Sequence, residues 1–263
     1  MINKRNFLLG ISTVIFTVFE GIMFYLIHFS DKELPFTDYY LCIIAAAVFS
    51  FTTLFIEIIT AKEENERARD VIFSASNGNL IRIAMLFTLT ADYFMVAIEE
   101  IDNQTGVTVF LGTQLFIFLH IFFNDTNKAW RKANIIVRLS LSVIIVAVAY
   151  MVLGEEADYL AIISVIYYTN LCSNAIFAHR IGICRGGIIL TIGLILFALC
   201  DVNVGLLAIN DIYVGGFPEG SLMYNLVNSE LDLMWFFYIP SQTLIPITLL
   251  FSNNKQKQKT DKR

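Results

Sequence analysis

Apolar and polar positions are segregated along this chain: long apolar runs are separated by short polar breaks. A helix that crosses a bilayer needs about 20 mostly apolar residues. Eight runs qualify, roughly Phe7 to Phe29, Tyr39 to Thr60, Leu80 to Ile101, Val107 to Phe123, Ala133 to Leu153, Tyr159 to Ala178, Gly187 to Ile209 and Leu233 to Phe251. The pattern predicts an all-α, polytopic transmembrane helix bundle of about eight spans. It forms one transmembrane helical domain over residues 1–252, followed by a basic, disordered tail over 253–263. The first run is too long for the apolar region of a cleaved leader, and no small-residue cleavage site follows it.

Composition agrees. Charged residues make up 16% of the chain, where a soluble domain carries about 25%, and mean hydropathy is +0.67. The basic residues orient the bundle. With the N-terminus inside, 17 of the 18 Lys and Arg fall on inner segments or the tail and only Lys32 lies outside, the bias expected of cytoplasmic loops. Both termini are therefore expected in the cytoplasm of a multi-pass cell-membrane protein. The outer segments are acidic, with Asp31, Glu33, Asp38, Glu99, Glu100, Asp102, Glu155, Glu156 and Asp158. The longest, Asn210 to Asp232, contains Gly215, Gly216, Pro218 and Gly220 and should turn back on itself. Scattered basic residues exclude a nucleic-acid face. Cys42, Cys172, Cys184 and Cys200 show no metal spacing and read as apolar packers and free thiols.

An ionisable side chain inside a span is a functional candidate by default. Asp92, Asp201 and Glu20 qualify, whereas Glu57 lies near the inner end of its run and is expected to reach the interface. From helix rise, Glu20, Asp92 and Asp201 lie about 18–21 Å from the inner face. Gln114 and Tyr238 share that level, with Gln242 about one turn below and His120 deeper, about 10 Å from the cytoplasmic side. Asn170 and Asn174 stand one turn apart on the sixth span. As glue between helices, such groups return under about 1 kcal/mol each, little for burying carboxyls.

These residues sit in strings. The third span has Leu86-Phe-Thr-Leu-Thr-Ala-Asp92, and the seventh has Gly193-x-x-x-Phe197-x-x-x-Asp201. The fourth has Phe110-Leu-Gly112-x-x-x-Phe116-x-x-x-His120, and the eighth has Tyr238-Ile-Pro-Ser-Gln242. Together, over about residues 80–250, they resemble the YhhN family of eight-span proteins, whose characterised members are lysoplasmalogenases. Ala91, Cys200 and Leu119 stand where that family has Gly, Ser and Ala.

The resemblance implies hydrolysis of a lysophospholipid's vinyl ether to a fatty aldehyde and a glycerophospho-alcohol, with membrane lipids as surroundings and no cofactor or metal. Asp92 and Asp201 are then the catalytic pair, one protonated and one ionised, as in the two-carboxyl handling of an oxocarbenium ion. Gln114, Tyr238, Gln242, Glu20 and His120 would bind substrate. The height of the polar plane suggests access from the outer leaflet, with acidic outer segments attracting a headgroup amine. Spans 3 and 7 each carry Asp, and the span after each carries Gln, so spans 1–4 and 5–8 are expected to be related by an axis along the membrane normal. The rival readings are a small-solute or proton-coupled transporter and a non-catalytic receptor or assembly partner.

Overall fold

The computed structural model describes residues 4–30, 35–63, 76–97, 102–154, 157–182, 186–212, 216–229 and 231–251. Every regular element among them is helical. They are α1 (Lys4–Phe29), α2 (Phe36–Glu63), α3 (Ser76–Asp92), α4 (Asn103–Asn124), α5 (Lys128–Leu153), α6 (Tyr159–Ala178), α7 (Gly187–Ile212), the short α8 (Leu222–Val227) and α9 (Leu233–Ile247). A single π-helical turn (Tyr93–Ala97) extends α3, and a 3₁₀ turn (Thr248–Phe251) ends α9. Eight of these stretches, all but α8, are long and apolar enough to cross a membrane. We call the end where α2, α4, α6 and α9 begin the upper end.

Acidic and amide side chains set where helices start. Asp102, Asp158 and Asp232 cap α4, α6 and α9 by accepting from the N–H of Thr105, Ala161 and Trp235, which satisfies donors that have no partner inside the helix. Upper-end acids expected to attract an amine thus have a structural duty. Asn127 caps α5 by accepting from the N–H of Ala129 and Trp130, so α5 begins five residues before the expected Ala133. Lys128, Arg131 and Lys132 are therefore helical. The turn-back expected after α7 takes the form of α8, with Gly216 and Gly220 at φ of 68° and 78° and Asn210 Oδ1 accepting from the Phe217 N–H. The basic tail and Cys184 lie outside the described residues; Cys42, Cys172 and Cys200 are free thiols.

Packing repeats between the two halves. In the first, α1 packs on α2, α2 on α3 and α3 on α4; in the second, α5 packs on α6, α6 on α7 and α7 on α9. The halves meet through α4 against α6 and α9 against α2, the arrangement an axis along the bundle would generate. Glycine brings the tightest pairs together. A Cβ at Gly112 would overlap the Phe87 ring, joining α4 to α3, and one at Gly193 would lie 3.1 Å from Ile245, joining α7 to α9. Aromatic contacts close the remaining seams. Phe16 stacks on Phe49 at 4.4 Å between α1 and α2, and Tyr39 meets Trp235 at 4.8 Å between α2 and α9.

α5 is polar toward the protein and apolar away from it. Its buried side chains are Asn134, Arg138 and Ala149, while Leu139, Val143, Ile144, Met151 and Val152 are exposed. Such a helix needs lipid on its outer face.

Overpacking a close contact costs about 1–3 kcal/mol, so Gly193→Leu should lower the unfolding temperature of detergent-purified protein. Gly10→Leu, at a position with open space within 4 Å, should leave it unchanged. Equal effects of the two would contradict this packing.

Candidate functional site

Four helices carry the centre of the site. Asp92 is the last α-helical residue of α3 before the chain widens into its π turn, a rare irregularity that recurs at functional sites. Its Oδ2 accepts from the Tyr238 hydroxyl of α9 at 2.5 Å, with both side chains 4% exposed. On α7, Gly193, Phe197 and Asp201 fall four residues apart and share one face. Gly193 admits α9, Phe197 is buried, and Asp201 Oδ2 accepts from the Tyr167 hydroxyl of α6 at 2.6 Å. Asp201 itself is half-buried.

The two Asp–Tyr pairs form one cluster. Asp92 lies within electrostatic reach of Asp201, Tyr167 within reach of Asp92, and Tyr238 within reach of Tyr167. An aromatic wall surrounds them. Phe197 lies 5.3 Å from Tyr238 and 5.7 Å from Phe110, and Phe110 lies 5.7 Å from Tyr167, between ring centres. Trp235 meets Tyr238 at 5.4 Å, and its Nε1 is a buried donor with no partner. Pro240 lacks the N–H that would bond the Phe236 carbonyl, so α9 misses one backbone hydrogen bond two residues after Tyr238 while continuing to Ile247.

The other expected site residues divide. Gln242 is fully buried one turn below Tyr238; its Nε2 donates to Ser241 Oγ at 3.3 Å and its Oε1 has no partner. Gln114 is fully buried on α4, and both its backbone O and Oε1 accept from Asn174 Nδ2 at 2.9 Å. Glu20 is 2% exposed and sits apart on α1 beside the Cys42 thiol, with neither carboxyl oxygen bonded to nitrogen or oxygen. His120 is buried lower on α4 beside Asn124, whose Nδ2 donates to the His120 carbonyl at 2.9 Å. The structure thus brings Asp92, Asp201 and Tyr238 together, while Glu20 and His120 each keep to their own corner.

Tyr167 escaped the sequence analysis. Its signal was depth and spacing: it lies about 12 Å into α6 by helix rise and shares a stripe with Asn170 and Asn174, at i, i+3 and i+7. Two further expectations are corrected. Glu57 does not reach an interface: it is 4% exposed and its Oε2 lies 3.1 Å from Arg82 NH2. Arg82 also donates to the Ser50 carbonyl, Thr53 Oγ1 and Asn79 Oδ1. Arg82 and Arg138, counted among the inner-segment charges, are buried side chains of α3 and α5. The reason is helix rotation, which turns these guanidinium groups inward where partners wait.

Two open grooves lie away from the aspartates, on the apolar faces of α1 and of α2 with α3. Among the described residues, no three His, Cys, Asp or Glu side chains gather as metal ligands do. The chain matches no protein-family model, no curated protein and no solved structure.

Removing one partner of a buried ion pair costs about 3–5 kcal/mol, whereas replacing both by apolar groups is often neutral. Arg82→Met and Glu57→Met should each depress thermal stability in detergent, and the double variant should recover most of the loss. A double variant as unstable as the sum of the singles would argue against this pairing.

Proposed function

We propose that this chain is an integral-membrane lipid hydrolase of the lysoplasmalogenase type. It would cleave the vinyl ether of a lysophospholipid to a fatty aldehyde and a glycerophospho-alcohol. The observation that carries the proposal is the convergence of two carboxyls from separate helices, Asp92 and Asp201, each held by a tyrosine hydroxyl inside an aromatic wall. The likeness of the surrounding strings to the YhhN family supports it. In the proposed orientation both termini are cytoplasmic and the upper end faces outward. Without the buried Arg82 and Arg138, 15 basic residues still fall at the N-terminus, on or beside the segments that join helices at the lower end, or on the tail.

Two carboxyls in reach of each other, one buried and one half-buried against the aromatic wall, share a proton more readily than they both ionise. In the proposed cycle, the protonated carboxyl delivers its proton to the outer alkene carbon, and the electrons of the double bond form the new C–H bond. The ether oxygen stabilises the resulting cation, and the ionised carboxyl faces it and orients water. Water adds to the cationic carbon and gives up a proton to that carboxylate. The hemiacetal then collapses: its hydroxyl proton passes to the first carboxylate as the C=O bond forms, and the electrons of the C–O bond pass to the glycerol oxygen. The second carboxyl protonates that oxygen, which returns both carboxyls to their starting states as the aldehyde leaves. The tyrosine hydroxyls fix which carboxyl oxygens face the substrate. Gln242 Oε1 and Trp235 Nε1, both lacking partners, are an acceptor and a donor for water and glycerol hydroxyls.

The test is aldehyde release by purified protein supplied with lysoplasmalogen, an ester lysolipid or ceramide. Loss of a general acid or base typically costs about 10²–10⁴-fold, so Asp92→Asn and Asp201→Asn should each lower kcat by that order on lysoplasmalogen. Tyr238→Phe and Tyr167→Phe each remove a hydrogen bond to a carboxyl and should cost about 3–100-fold, the larger loss falling on the tyrosine that holds the ionised one. Undiminished release in both Asp variants would overturn the assignment.

One observation favours a second reading, a proton-coupled transporter. The Asp92–Tyr238 bond joins the π turn of α3 to α9, which carries Pro240 and Pro246 inside it, and irregular helices near buried carboxyls are a feature of transport sites. Proton uptake by proteoliposomes that is lost in Asp92→Asn, with no aldehyde formed by wild type, would favour it.

A further inference from the structure

Among the described residues, no carboxylate pairs with Arg138. It lies ten residues into α5, about 15 Å from the lower end of that helix, and is 7% exposed. Its NH1 donates to the Asn170 carbonyl at 3.2 Å and to Asn170 Oδ1 at 2.6 Å. Its NH2 donates to Oδ1 of Asn174 at 2.8 Å and of Asn134 at 3.4 Å. The guanidinium lies 4.5 Å from the centre of the Phe118 ring, and its Nε is a buried donor with no partner. Asn174 continues the network, because its Nδ2 occupies Gln114 Oε1 and leaves Gln114 Nε2 as a second buried donor with no partner. Among the described residues, the arginines that form ion pairs are Arg5, Arg82 and Arg180.

The cluster therefore combines a full positive charge, two open donors flanking Asn174, and only neutral acceptors. A cation buried among neutral amides is expensive, because hydrogen bonds replace part of its hydration and nothing replaces a counter-charge. Arg82, buried among hydroxyls and carbonyls, has Glu57. An anion seated against Arg138 Nε and Gln114 Nε2 would complete the second cluster as Glu57 completes the first.

We propose that Arg138 and Gln114 seat the phosphate of a lipid headgroup, the headgroup of the substrate named under Proposed function, on which this inference rests for the reacting bond. The geometry fits a glycerol backbone. Asn170 and Asn174 lie one and two turns below Tyr167 on α6, about 5 and 10 Å by helix rise, and Tyr167 holds Asp201. A phosphate at the arginine places the ether oxygen, three glycerol carbons away, up at the aspartates, with the alkyl chain running toward the upper end. A lipid in that pose has its headgroup toward the lower, cytoplasmic side. It is drawn from the inner leaflet, which reverses the outer-leaflet expectation.

The test measures binding to full-length protein in nanodiscs with three probes: hexadecyl-glycerophosphocholine with a saturated ether, hexadecylglycerol, and inorganic phosphate. A charge-assisted phosphate contact should make the phospholipid bind about 10–100-fold tighter than hexadecylglycerol. Arg138→Gln should bring that ratio close to one, and Arg138→Lys should retain part of it. A merely structural arginine would weaken both lipids together and leave the ratio intact. If Arg138→Gln fails to fold, the reduced ratio in Arg138→Lys and in Gln114→Leu carries the test. A ratio unchanged in these variants, or inorganic phosphate binding as tightly as the phospholipid, overturns the proposal. Binding is read without turnover. Protein that discriminates through Arg138 but releases no aldehyde supports the phosphate seat and sinks the hydrolase. Protein that releases aldehyde with its ratio unchanged in Arg138→Gln does the reverse.

Discussion

The interior of this bundle has to satisfy its own polar groups. Hydrocarbon around eight membrane-length helices offers neither donor nor acceptor, so every buried nitrogen and oxygen must be answered from within the chain. Most are answered locally. Ser50, Thr53, Thr60 and Ser173 return their hydroxyl protons to carbonyls three or four residues back, and Arg82 is answered across helices by Ser50, Thr53 and Glu57. The exceptions are few, as native structures require. Four of them, Gln114 Nε2, Gln242 Oε1, Trp235 Nε1 and Arg138 Nε, lie on α4, α9 and α5, the helices beside or below the Asp–Tyr cluster, whereas His28 Nε2 on α1 and Arg180 Nε after α6 also lack a hydrogen-bond partner. Open valences gathered in one region are what a polar ligand entering an apolar bundle would use.

Glu20 is the outlier. Both carboxyl oxygens lack a nitrogen or oxygen partner, and its neighbour is a thiol, a weak donor. It sits on α1, the helix that corresponds by packing order to α5 in the second half. The two marginal helices thus each bury one ionisable group of opposite sign, an asymmetry laid over a repeated scaffold.

Length and hydropathy revealed the helices because spanning is a one-dimensional property: about 20 apolar residues suffice wherever they occur. Every expected run corresponds to a helix, Tyr159–Ala178 with the expected bounds and others with ends a few residues away, as where the Asn127 cap starts α5 early. Depth was similarly legible, since rise per residue is fixed, and it placed Asp92 level with Tyr238. Rotation about the helix axis was not legible. Whether Arg138 counts as a loop charge or a buried cation depends on which way α5 faces, and only its contact with Asn170 and Asn174 on α6 decides that. The same limit hid the Tyr167–Asp201 bond and the Arg82–Glu57 pair, whose partners are 34 and 25 residues apart in sequence. The charge bias behind the proposed orientation sums over many residues and so tolerates two that turn inward.

A repeated scaffold explains why two carboxyls come together at all. If α3 and α7 occupy corresponding places either side of an axis along the bundle, an aspartate at a similar height on each is carried to the centre by the same packing, with Gly112 and Gly193 permitting the close approach in each half. What the repeat does not copy is the partner. Asp92 takes its hydroxyl from α9, in the other half, and is buried; Asp201 takes its hydroxyl from α6, in its own half, and is half-buried. Two carboxyls in different surroundings separate into proton donor and acceptor more readily than two in identical ones. In the proposed chemistry the symmetry brings the groups together and the broken symmetry divides their labour, so the departures from the repeat carry as much of the function as the repeat itself.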